Sequence, residues 1–97
     1  MRVFWADAAL AQLEAIHDYF AQTSPDYARR IVDRLTRRSQ QIGAFPLSGR
    51  RVPEYDLPEV REMIESPYRI IYLIKDENRI EVLAVIHTSR DRLKPLE

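Results

Sequence analysis

The sequence has no cysteine, so neither a disulfide framework nor a thiolate zinc site can be built from it. Two histidines without cysteine make no convincing metal-ligand set. No segment is of low complexity, and no apolar run approaches the length of a membrane span. The opening MRVFWADAAL does not read as a secretory signal, because Asp7 interrupts an apolar stretch that is already too short. Lysine is scarce, with Lys75 and Lys94 alone. A net excess of either charge is also missing, since 15 basic residues balance 15 acidic ones. That balance weighs against a chain that binds nucleic acid by itself, because such binders carry a basic excess that releases phosphate counterions. The lack of cysteine suits a reducing cytoplasm.

What is present suffices for one domain, 1–97. An apolar fraction of 45% supplies a single core, and a charged fraction of 31% is that of a folded chain. The charge is unevenly placed. Residues 26–51 hold seven arginines against Asp26 and Asp33, whereas 52–66 hold five carboxylates against Arg61.

Val3, Phe4 and Trp5 read as a short strand. A helix follows, with Asp7 in its first turn and Leu10, Leu13, Ile16 or His17, and Phe20 on one apolar face. Ser24 is the expected N-cap and Pro25 the first residue of a second helix, 25–42. Ala28, Ile31, Val32, Leu35 and Ile42 form its apolar face, Arg30, Arg34, Arg37 and Arg38 its outer one, and Gly43 is the expected C′ residue. So short a link predicts an antiparallel helical hairpin. Residues 45–58 are expected to be a loop, long for this domain, in which Gly49 supplies an unusual φ and Arg50 reaches Glu54, Asp56 or Glu59; the alternative is that the loop helps to engage a target.

Three strands follow, at 60–64, 68–74 and 80–87, with turns at Ser66-Pro67 and 75–78. The fold class is therefore α+β, in the order β-α-α-β-β-β, an antiparallel sheet with an N-terminal helical hairpin packed on one face. Val82 to Ile86 are almost continuously apolar, which predicts a central strand covered on both faces. It ends by delivering His87 and Arg90 to a polar exit.

Several pieces, taken in order, resemble the ParE/RelE superfamily of toxins from bacterial type II toxin–antitoxin modules, in its ParE-like (plasmid-stabilisation) branch. They are Trp5, the Ala9-Leu10, Leu13, Ile16 pattern, the Tyr19 region, Pro25 and Ala28. After them come Phe45-Pro46-Leu47-Ser48-Gly49-Arg50 with Val52-Pro53-Glu54, then Val60-Arg61-Glu62, Tyr68-Arg69-Ile70-Ile71-Tyr72, and His87-x-x-Arg90. The resemblance spans nearly the whole chain. It implies a cognate antitoxin that folds on binding, operator DNA met only through the antitoxin complex, a cytoplasmic site of action, and no cofactor or membrane. ParE-like members poison DNA gyrase; RelE-like members cut mRNA on the ribosome.

The residues to weigh are Arg61, Arg69, His87 and Arg90. Cleavage by a 2′-hydroxyl needs a base, an acid and cations for the phosphorane, so these four would be the catalytic set of a nuclease. The alternative is that His87 is a satisfied histidine at a core edge, on the side of Leu83 and Val85, and that the arginines pair with Glu62, Glu65, Glu81 or Asp91. The resemblance implies strongly basic nucleases with lysines near the site; here lysine is scarce and 52–66 is acidic. The reading is therefore a gyrase inhibitor without catalytic residues, in which Arg90, Arg61, Arg69 and Arg50 contact the target or the antitoxin. An mRNA endoribonuclease, or a non-toxic relic that only binds antitoxin, is the alternative.

Overall fold

The computed structural model of the chain describes residues 1–89. Strand β1 (Arg2–Trp5) leads into α1 (Asp7–Ala21) and α2 (Pro25–Ala44), and β2 (Arg50–Arg51), β3 (Val60–Glu65), β4 (Tyr68–Ile74) and β5 (Arg79–His87) follow. Arg90 lies outside the described residues.

The start of α2 is set as expected. The Ser24 hydroxyl accepts a hydrogen bond from the Tyr27 amide, and Pro25 occupies the first turn, where a missing N–H costs nothing. Ala28, Ile31, Leu35, Ser39 and Ile42 are its buried stripe, spaced three or four residues apart. Ser39 fills a polar gap in that stripe without cost, because its hydroxyl donates to Thr36 O at 2.7 Å and accepts from the Trp5 indole at 3.3 Å. The helix runs past the expected stop. Gly43 is helical and its φ is not positive. The reason for a glycine there is space: a Cβ would meet Met1 O at 2.8 Å and Val3 Cγ2 at 2.9 Å. On α1, Ala9 is buried and Leu13, Ile16 and Phe20 pack on the core, whereas Leu10 stays 49% exposed, one position off the face assigned to it.

The strand order is β1-β5-β4-β3-β2. The β3-β4-β5 meander is antiparallel, and β2 adds to its far edge as a short antiparallel strand within the expected loop. The sheet is mixed, since β1 joins β5 in parallel, and β4 rather than β5 is central. The helical hairpin covers one face. There Ile31, Leu35 and Ile42 meet Ile70, Tyr72, Ile80, Val82 and Val85. Each such fully buried side chain stabilises the fold by about 1.5–3 kcal/mol.

The apolar run of β5 has a second cause besides burial on both faces. Ile71 faces Ala84 but Tyr72 faces Val82, so Leu83 is an extra residue in a β-bulge. Leu83 and Ala84 therefore both turn to the far face, where they join Val52, Val60 and Ile71 in a smaller cluster. The bulge separates Leu83 from Val85. His87 is on the side of Val85, opposite Tyr68, and not on that of Leu83. No helix among the described residues is long and apolar enough to cross a membrane.

Candidate functional site

The far face of the sheet carries the charged cluster. Strand alternation places Glu62 beside Ile71, and Arg50 opposite Glu62 on β2. Arg69, two residues from Ile71 along β4, is on this face too. The Glu62 carboxylate is fully buried, and two arginines enclose it: Arg50 donates through Nε to one oxygen, and Arg69 Nε donates to the other at 2.5 Å. Arg69 also clasps Glu54 with both Nη atoms at 2.9 Å. The bidentate clasp on Glu54 is the largest cause of an Arg69 pKa raised above its ordinary value; burial opposes it and Glu62 adds to it. The same hydrogen bond holds the Glu54 carboxyl below its usual range.

The loop before β2 is held from the other, helix side of the sheet. The Gly49 amide donates to the Tyr72 hydroxyl at 3.1 Å, and that hydroxyl donates to Pro46 O at 2.6 Å. Arg61 Nη1 donates to Gly49 O at 2.9 Å. Burial pushes the Tyr72 phenol up. A Cβ at Gly49 would lie 2.4 Å from the Tyr72 hydroxyl and 2.6 Å from Glu62 O, so close approach and not an unusual φ demands glycine here. Arg50 reaches Glu62 rather than Glu54, Asp56 or Glu59. Its neighbour Arg51 takes Asp56 at 3.1 Å.

Of the four residues weighed as a nuclease set, the three among the described residues are dispersed. Arg69 is on the far face. Arg61 pairs with Tyr72 and His87 with Tyr68, both on the helix side, so these two are separated by about 13 Å along β4. His87 stands edge-on to Tyr68, with ring centroids 5.7 Å apart, and its Nδ1 accepts from the Ser89 amide at 3.2 Å. An Nδ1 that accepts places the proton of a neutral ring on Nε2. Glu62 and Tyr72 were not picked out as organising residues. The signal for Glu62 was present: it occupies a position between Val60 and Ile64 that alternation assigns to a buried face.

On α2, Arg34 binds Glu65 at 2.8 Å and Arg37 binds Asp33 at 2.7 Å, while Arg30 lies over the Tyr27 ring. Trp5 packs on the core, and Tyr19 and Tyr27, 59% and 38% exposed, stand edge-on to Phe20.

Residues 3–92 match the family model described as the ParE toxin of the type II toxin–antitoxin system, parDE. The chain belongs to the ParE toxin family. Toxin RelE2 of Caulobacter vibrioides is 32% identical over 90 residues, covering 92% of this chain and 97% of its own. A putative toxin of Sinorhizobium fredii, Y4kP, is 32% identical over 91 residues, covering 92% and 90%. The fold is shared with a solved chain of the chromosomal ParDE system of P. aeruginosa, at TM-score 0.76 and 23% identity over 92% of this chain and 97% of that one. It is shared also with a YoeB/ParE toxin from Agrobacterium tumefaciens, at TM-score 0.62 and 16% identity over 90% and 98%. The chain is thus a toxin of the ParE/RelE type with the expected α+β fold.

Proposed function

We propose that this toxin is a binding inhibitor of DNA gyrase that blocks replication in the cytoplasm, and that a cognate antitoxin neutralises it by folding onto it. Operator DNA is then met only through the antitoxin complex. The observation that supports this reading best is the neutralised state of Arg69. Its side chain is only 12% exposed and its guanidinium is taken by Glu62 and Glu54, two carboxylates that a substrate phosphate would have to displace. Arg61 is likewise turned to Gly49 O, on the other side of the sheet. In this reading Arg61 and Arg69 are positioning residues. Arg50, whose head is 65% exposed, and Arg90, assigned from sequence alone, make the outward contacts.

The purified protein is tested in supercoiling and cleavage-complex assays with gyrase, and in parallel on translating ribosomes with a reporter mRNA. Gyrase inhibition that antitoxin reverses is the expected result. Cut transcripts with gyrase unaffected would overturn the reading. The likeness to a relative named Toxin RelE2 favours that second outcome. In that case His87→Ala would lower cleavage by at least about 100-fold while the fold persisted.

A further inference from the structure

Phe45 and Leu47 are the most exposed large apolar side chains among the described residues, at 69% and 70%. Single exposed apolar residues are ordinary on protein surfaces. These two stand on one β-turn, closed by the Ser48 amide donating to Phe45 O at 3.0 Å. That turn has little freedom to fold them inward. The Phe45 amide donates to Gln41 O at 2.9 Å at the end of α2, and the Ser48 hydroxyl donates to Phe45 O at 2.7 Å. Tyr72 and Arg61 tie down Pro46 and Gly49 from the sheet. Two apolar side chains are therefore held out in water by a backbone fixed at both ends.

The geometry points to the turn 45–48, ahead of the edge strand β2, as the surface that engages the toxin's target, with Phe45 and Leu47 as anchors for an apolar pocket in an already folded protein. The assignment rests on the toxin reading and adds a site to it. Its argument is one of shape and charge. A disordered antitoxin segment that folds on binding needs a groove or a free sheet edge to order it. A protruding pair on a rigid turn offers neither, but it fits a pocket and loses little entropy in doing so. The adjoining charges select the pocket's rim. Arg50, its side chain 65% exposed, has its carboxylate Glu62 fully buried beneath it, and the nearby Glu54 is already clasped by Arg69, so the cation left facing outward is Arg50; Arg51 is balanced by the exposed Asp56. A carboxylate at the mouth of the pocket complements that edge.

The test compares wild-type protein with the double variant Phe45→Ser/Leu47→Ser. Three quantities are read: growth inhibition on expression, binding of purified protein to gyrase, and binding to the cognate antitoxin. Growth inhibition should be lost and gyrase affinity should fall by about 100-fold, with antitoxin affinity within about threefold of wild type. Leu47→Met, which keeps an apolar anchor, should stay toxic. If the double variant does not fold, Leu47→Ser alone decides, since a residue this exposed contributes little to the fold. Undiminished toxicity would overturn the assignment. So would loss of antitoxin binding together with toxicity, because the turn would then be the antitoxin's seat. Wild-type protein that stops growth without touching gyrase defeats the gyrase reading only. The loop is then judged by growth alone: a non-toxic double variant that still binds antitoxin supports it.

Discussion

On the helix side of the sheet, Ile70, Tyr72, Ile80 and Val82 are enclosed by two helices and make a dry apolar core. On the far side, Val52, Val60 and Ile71 share the surface with Glu62, Arg50, Arg69 and Glu54. The first face is stabilised by area removed from water, which tolerates many apolar sequences. The second depends on each charge meeting its partner, and a single loss leaves another group stranded. Such a face contributes less to stability per residue and more to position. Here it seats Arg50 of β2 and Glu54, while Tyr72 and Arg61 hold the loop before β2 from the helix side.

Removing the buried carboxylate is the strongest way to break this contrast. Glu62→Ala should cost about 3 kcal/mol, the low end for a broken buried pair because Arg50 can turn to solvent. Denaturant unfolding measures it, and a cost near zero would mean that the far face is merely solvated. Next is Tyr72→Phe, which strips Gly49 N–H and Pro46 O of a partner and should cost about 1–3 kcal/mol. Hydrogen exchange should show faster opening confined to residues 45–50.

Acid sharpens the comparison further. The Arg69 clasp holds the folded Glu54 carboxyl below its ordinary value of 4.5, so its contribution is present above pH 4.5 and is lost as pH falls through the folded value. A Glu54→Gln variant should therefore show a shallower loss of stability below pH 4.5 than wild type. The smallest effect belongs to the arginine face of α2. Arg34→Ala removes an exposed pair with Glu65 and should change stability by less than about 1 kcal/mol.

Much of the helix side was legible from the sequence. The Ser24 cap, the α2 stripe and the bounds of β4 rest on spacing and local chemistry, which a single chain displays. The failures share a cause in contacts between distant residues. Gly43 and Gly49 each look like backbone-freedom glycines, but one accommodates Met1 and Val3 and the other Tyr72. The bulge at Leu83 broke the alternation rule and moved His87 to the opposite face from Leu83. The two-residue strand β2 has no periodicity to reveal it. The arginines were recognised as a group, but which carboxylate each would meet depended on register, and only the folded sheet supplies that.

One feature of the sheet bears on how the chain reaches this state. β1 pairs in parallel with β5, joining residues 2–5 to residues 79–82. In synthesis the helical hairpin can form early, because its contacts are local, but β1 must wait for residues 79–82 to emerge before it gains its strand neighbour. The helix-side core closes only then. A nascent chain would thus hold the turn at 45–48 against Tyr72 once β4 is made, yet keep its first strand unpaired until β5 follows.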